Sequence, residues 1–170
     1  MNNAMLYEQL FKGLHTHRIR YLVVGAVAVN LHGIPRMTAD LDVMVDLEKE
    51  NVHRFIEMIV GLGYRPRVPV QPFDFLDTAK RREWRETKSM IVFTWLNPTR
   101  PYEEIDVFLD NPIDFSLAFS RKISLPLQDF TVLIPSVPDL IALKRLAGRE
   151  QDQSDILALQ QLLNLGEDRP

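Results

Sequence analysis

There is no cysteine anywhere in the chain. That absence excludes disulfide staples, thiolate nucleophiles and cysteine-ligated zinc. Long apolar runs are missing too, and no stretch approaches the roughly 20 residues that a membrane-crossing helix needs. The opening residues, MNNAMLYEQLFKGLHTHRIR, are amphipathic, not continuously apolar, so no signal peptide and no membrane partner are expected, and the expected location is cytoplasmic. Charge of one sign is also lacking: 20 Lys and Arg against 23 Asp and Glu leave a net −3 at pH 7. Such a balance exerts no global pull on nucleic acid or on an anionic membrane. No internal repeat, low-complexity tract or long linker interrupts the chain.

What is present is ordinary in amount and specific in arrangement. Hydrophobic residues make up 46% and charged residues 25% of 170, which predicts one domain with a substantial core. Its parts are a core region over 1–135 and a C-terminal helical extension over 136–170 packed on it. The most informative stretch runs from Tyr21 to Asp46 and reads as a buried strand, Gly25, a short helix, Gly33, and a second strand carrying Asp40 and Asp42. Side chains alternate across a strand, so carboxylates at i and i+2 share a face while Leu41, Val43 and Val45 point into a core. Two bare carboxylates side by side repel, which costs stability unless a cation lies between them. Alone, an Asp-x-Asp at a strand end reads as a solvated edge, because Asp is common in turns. Gly25 shifts that balance. A glycine at a strand-to-helix junction lets a phosphate approach the backbone, and the free N–H groups of the helix behind it favour an anion.

Elsewhere the pattern supplies a scaffold and one more acid. Leu6, Leu10, Phe11 and Leu14 predict an N-terminal helix over Met5–Leu14 that packs on the sheet, with His15 and His17 structural in the loop behind it. His32 reads as a cap of the short helix, with lining of the pocket as the minority reading, and Pro35 stiffens the link to the second strand. Arg36 and Thr38 sit just upstream of the acids; Arg36 reads equally as a phosphate clamp and as a neutraliser of a neighbouring acid. A helix is expected over Leu47–Leu62, an irregular proline-rich segment over Tyr64–Asp77, and a basic helix face through Lys80, Arg81, Arg82, Arg85 and Lys88 around Trp84. That basic run reads as solvated, with guidance of a nucleic-acid or acidic partner as the minority reading. A core strand over Ser89–Leu96 turns at Asn97-Pro98 into a strand over Glu104–Leu109. There Asp106 alternates against Ile105, Val107 and Leu109, and is preferred as a third acid over Glu103, Glu104 and Asp110. A short helix over Pro112–Phe119, two extended segments and a helical pair complete the chain. The pair is capped by Ser136 and broken near Gly148. Lys144 and Arg149 on the pair are candidates to reach a triphosphate, or equally to pair with Asp152 and Asp155. Alternation of strands and helices predicts an α/β (α+β) fold with a mixed sheet, flanking helices and a C-terminal helical pair.

This constellation resembles the nucleotidyltransferase superfamily, the DNA polymerase β-like minimal transferases. Their pattern is a Gly-Gly or Gly-Ser dipeptide opening a helix, an Asp-x-Asp on the next strand and a third Asp on a later one, here Gly25-Ala26, Asp40-Leu41-Asp42 and Asp106. It is most similar to the AbiE-type toxin branch and its bacterial relatives, through His32-Gly33-Ile34-Pro35-Arg36-Met37-Thr38-Ala39-Asp40-Leu41-Asp42 and through Lys144 followed by Arg149, Asp152 and Asp155. The likeness in spacing spans about Tyr21 to Leu163 and is specific in these three patches. The resemblance implies an NTP donor, with Mg2+ (or Mn2+) held by Asp40, Asp42 and Asp106. It implies nucleotide contacts from Gly25, Ala26, Arg36, Thr38, Lys144 and Arg149, help from Asp106 in deprotonating the attacking hydroxyl, and release of pyrophosphate. The acceptor is left open among protein, RNA and small molecule, and an antitoxin is the partner that the toxin branch implies. One departure matters: Ala26 stands where the family has Gly or Ser. That position supports a rival expectation, a non-catalytic nucleotide-binding or partner-binding module of the same fold.

Overall fold

The computed structural model describes residues 3–167. Its centre is built from short strands too apolar to leave uncovered. Tyr21–Val24 (β1) is buried at all four positions, and Leu41–Val45 (β2) is buried everywhere except Asp42. β1 runs antiparallel to β2, with Val24 opposite Asp42. β2 runs parallel to Arg100–Phe108 (β5), and β5 pairs antiparallel with Val92–Asn97 (β4). Arg65–Pro66 (β3) pairs with β4 at the far edge, giving the order β1-β2-β5-β4-β3. The sheet is mixed because a tight hairpin joins β4 to β5 while a long crossover separates β2 from β5. At the hairpin, Asn97 Oδ1 accepts hydrogen bonds from the Thr99 N–H at 3.0 Å and the Thr99 hydroxyl at 2.8 Å.

One face of the sheet carries the main core. Glu8–Thr16 (α1) contributes Leu10, Phe11 and Leu14, and Lys49–Gly61 (α3) contributes Val52, Phe55, Ile56 and Ile59. They pack with Val23, Val43, Phe93, Trp95, Ile105 and Val107. Each such side chain stabilises the fold by roughly 1.5–3 kcal/mol on burial. α3 starts where it does because the Glu48 carboxylate accepts from the N–H groups of Glu50 and Asn51 at 3.1 and 3.2 Å, which satisfies donors the helix cannot.

The opposite face is covered over β1 and the far part of β2. There Leu22, Val24 and Met44 pack with Phe115 and Ala118 of Phe115–Ser120 (α5) and Leu143 of Val137–Ala147 (α6). Met44 lies on the same face as Asp42, so the strand that the sequence marks as buried on one side is buried on both beyond the acids. A hairpin of Ile123–Leu127 (β6) and Phe130–Ile134 (β7) is tied to β1 by the Tyr21 hydroxyl, which accepts from the Leu133 N–H at 3.2 Å. α6 and Glu150–Glu167 (α7) form the C-terminal helical pair, turned at Gly148 in the left-handed region (φ 65°). Seven α-helices around a mixed sheet make this a mixed α/β fold among the described residues. No helix among them is long and apolar enough to cross a membrane.

Several boundaries differ from the sequence expectation for physical reasons. The strand expected from Ser89 begins at Val92, because Ser89 takes the left-handed conformation (φ 51°) that ends Thr78–Lys88 (α4). The strand expected from Glu104 begins at Arg100, since hairpin pairing with β4 extends it through residues too polar to show strand alternation. The basic run is helical, yet Arg81 is only 5% exposed. Its guanidinium donates to the Phe75 carbonyl at 2.6 Å. Lys80 pairs with Asp74 and Arg85 with Asp110 on the solvent side.

Candidate active site

The site is assembled by strand register. On parallel neighbours the in-register side chains point to one face, and the β2–β5 register sets Asp42 directly beside Asp106. Thr94 lies opposite Asp106 on β4, and its hydroxyl donates to Asp106 Oδ1 at 2.5 Å. Asp40 is the exposed residue immediately before β2 begins. The two acids of the Asp-x-Asp therefore straddle the strand's first residue, instead of both lying within it.

Gly25 closes the site from the β1 side. It opens the helix Gly25–Leu31 (α2) in a left-handed conformation, φ +67°. A Cβ built there would collide with the Asp42 carboxylate, lying 2.9 Å from its Cγ and closer still to Oδ2. Only glycine meets both demands, the positive φ and the close approach of a side chain. The N-cap, Val24, gives the first N–H groups of α2 no side-chain hydrogen bond, and Ala26 follows in the first turn with its own N–H in place.

Electrostatics separate these acids from their neighbours in sequence. Asp42 is pushed up to about 7, first by burial and then by the charges of Asp106 and Asp40, against the opposing pull of Arg149 and Lys144. Asp106 is also raised, chiefly by burial, with the Thr94 hydrogen bond opposing. The three rival acids each have a partner. Glu103 accepts from Tyr64 and pairs with Arg100 at 3.3 Å. Glu104 pairs with Arg67, and Asp110 with Arg85 at 3.1 Å. Among the described residues no Lys, Arg or His forms an ion pair with Asp40, Asp42 or Asp106. Nor do any three acidic or histidine side chains there stand in one group close enough to hold an ion as they are. The donor set itself is all carboxylate oxygen with uncompensated charge, which fits a hard divalent cation such as Mg2+ or Mn2+.

The remaining sequence candidates divide. Lys144 is 3% exposed, and its ammonium pairs with Asp152 Oδ1 at 3.1 Å and Asp155 Oδ2 at 2.9 Å. Arg149 donates through Nε to Asp152 Oδ2 at 2.9 Å, and its charge still reaches Asp42. Arg36 Nε lies 3.3 Å from Asp155 Oδ1, while its carbonyl accepts from Asn30 Nδ2 at 2.7 Å. The Thr38 hydroxyl donates to the Asp40 carbonyl at 3.4 Å. Of the histidines, His32 sits at the α2 C-cap and its Nε2 hydrogen-bonds the Pro135 carbonyl at 2.9 Å, and His17 bonds back to the Gly13 carbonyl. Sequence reasoning passed over Thr94, whose only signal is one hydroxyl on the half-buried face of β4, between Val92 and Leu96.

No protein-family model matches the sequence, and no curated protein matches it either. Solved structures do match in three dimensions. ANT(2")-Ia, solved with adenylyl-2"-tobramycin, superposes with a TM-score of 0.62 at 11% identity, covering 98% of this chain and 92% of that one. An antigenic nucleotidyltransferase-like protein from Paracoccidioides brasiliensis gives 0.61 at 16% identity, over 95% and 76% of the two chains. The lincosamide antibiotic adenylyltransferase LnuA, bound to lincomycin, gives 0.56 at 16% identity, over 90% and 95%. At these identities the likeness is one of architecture: the chain has the nucleotidyltransferase fold.

Proposed function

We propose that the chain is a metal-dependent nucleotidyltransferase that moves an NMP from an NTP to a hydroxyl-bearing acceptor and releases pyrophosphate. One observation carries the reading: Asp42, set beside Asp106 and against Gly25 with no basic side chain in contact, is pushed up to about 7, first by burial and then by the charges of Asp106 and Asp40. A cation held by Asp40, Asp42 and Asp106 would neutralise that charge and stabilise the entering and leaving oxygens of an in-line displacement. Gly25 and the N–H groups at the start of α2 receive the phosphates. Asp106 Oδ takes the proton of the attacking hydroxyl, while Thr94 holds that carboxylate in place. Arg149, Lys144, Arg36 and Thr38 shape the nucleotide side of the site. On this reading 1–135 is the catalytic core and 136–170 an extension that supplies Lys144 and Arg149.

The acceptor class follows from loops outside the acids. Antibiotic-sized hydroxyls have precedent in the molecules bound by ANT(2")-Ia and LnuA. The His32-to-Asp42 run favours instead a toxin of the AbiE type, cytoplasmic, acting on protein or RNA and held by an antitoxin. A screen of the four α-labelled NTPs against cell lysate with Mg2+ or Mn2+ tests the proposal and reports donor and acceptor together. Label transfer that Asp42→Asn abolishes is the expected result; equal transfer by Asp42→Asn overturns it. Ala26 favours a second reading, a nucleotide-binding module without turnover. NTP binding by calorimetry, with no labelled product against any acceptor, would select that one.

A further inference from the structure

The residue that precedes α1 reaches the backbone on both sides of the acids, in the segment leading into β2 and within β5. Tyr7 is 1% exposed, and its hydroxyl lies 3.0 Å from the carbonyl oxygens of Ala39 and of Glu104. Ala39 is the residue before Asp40, and Glu104 lies two before Asp106. The β2–β5 ladder begins only at Leu41 opposite Ile105. These two carbonyls therefore sit just past its end, where no β2–β5 rung joins the two segments. One phenolic proton shared between them replaces the missing rung. The neighbouring contacts brace the same corner: Arg100 at the start of β5 donates to Gln9 Oε1 at 2.8 Å and pairs with the buried Glu103. Burial holds the Tyr7 phenol above the usual tyrosine range, so it remains a donor at any working pH.

We propose that Tyr7 is a positioning residue for divalent-cation binding: by tying Ala39 to Glu104 it sets the separation at which Asp40 and Asp106 are presented. The inference rests on the metal-dependent reading above. Groups that orient metal ligands without touching the metal are typically worth 10–100-fold in affinity. Tyr7→Phe keeps the ring and the core volume and removes only the hydroxyl. It is expected to weaken Mn2+ binding, measured by calorimetry without nucleotide, by about tenfold. Tyr21→Phe is the matched control. It also removes a buried hydroxyl, here the acceptor for the Leu133 N–H, but at the end of β1 opposite Val45, away from the acids. It should bind Mn2+ as the wild type does. Faster amide exchange at Leu41 and Ile105 in Tyr7→Phe alone would localise the effect to the ladder end. Equal Mn2+ affinity in wild type and Tyr7→Phe overturns the inference, and so does equal weakening in both variants, which marks a general loosening. A wild type that binds no Mn2+ overturns the metal reading and this inference together, an outcome distinct from either of those.

Discussion

Two groups of aspartates lie within electrostatic reach of one another and have opposite surroundings. Asp152 and Asp155 on α7 are buried, and Lys144, Arg149 and Arg36 surround them at 2.9 to 3.3 Å. Asp152 consequently lies below the usual carboxylate range: burial works to raise it, but the bonds from Arg149 and Lys144 prevail. Asp42 and Asp106 are raised instead. The fold supplies cations to one group and withholds them from the other, although Arg149 bears on both. Compensated acids clamp helices together; uncompensated ones hold unfavourable charge that a ligand can relieve. Such displaced pKa values cluster at functional sites.

The sharpest way to break this comparison is Asp42→Asn. Transfer of labelled NMP should fall below detection, while the metal-free protein becomes more stable. A carboxyl raised from about 4 to about 7 disfavours its ionised form in the folded state, a difference of about 4 kcal/mol. The penalty is absent below about pH 4, grows as pH rises, and levels off above about pH 7. Thermal melts in EDTA should therefore show Asp42→Asn several degrees above wild type at pH 8 and level with it near pH 4. Added Mn2+ should raise the wild-type midpoint and leave the variant's unchanged. A variant less stable than wild type at pH 8 would mean that Asp42 is already compensated.

Lys144→Met probes the opposite group. It leaves two buried carboxylates facing one another with Arg149 and Arg36 at their edges. Removing one member of a buried ion pair costs about 3–5 kcal/mol. Urea denaturation should show that loss at pH 7. A change below about 1 kcal/mol would mean that water already reaches the cluster, and that Lys144 is free to serve a triphosphate.

How much of this contrast was legible in the sequence depends on the distance over which each part acts. The Asp-x-Asp spacing, Gly25 and the strand period around Asp106 are local, and each one-dimensional pattern reads directly as a face or a turn. The mixed sheet and the C-terminal helical pair follow from the same periodicity. What stayed hidden depends on partners far along the chain. Nothing near Met44 announces that α5 and α6 will cover it, and nothing near Lys144 distinguishes an ammonium aimed at phosphate from one enclosed by Asp152 and Asp155. Strand parity puts Glu103 on the face opposite Asp106, but nothing near it announces that Tyr64, 39 residues away, will meet its carboxylate there. Asp40 illustrates a subtler limit, since a strand boundary one residue later moves it from the ladder to an exposed rim.

Gly25→Ala should have a smaller effect with two separable causes. Holding a non-glycine residue at φ +67° costs on the order of 1–2 kcal/mol, and the new methyl must also displace the Asp42 carboxylate. The same substitution in an Asp42→Ala background should cost only the first part. A double-mutant cycle by urea denaturation isolates the steric part as the difference. Equal costs in both backgrounds would show that Asp42 moves aside freely, and that the close approach is not a constraint on the site.

Arg85→Ala carries the least and bounds the comparison from the solvent side. Its guanidinium meets Asp110 at 3.1 Å, with both side chains about half exposed. An exposed pair contributes little, because water screens it and both chains lose freedom in forming it. Urea denaturation should register a change within about 0.5 kcal/mol, and NMP transfer should match wild type. The basic run on α4 then acts as a solvated helix face. Loss of transfer to an RNA acceptor, with stability intact, would instead make α4 a guide for nucleic acid, and would do so against a chain whose net charge is −3. An acid counts as functional here because of the partner it lacks, so the same standard applies to a base. Arg85 has its partner in Asp110, and that leaves it no reason to reach beyond the surface.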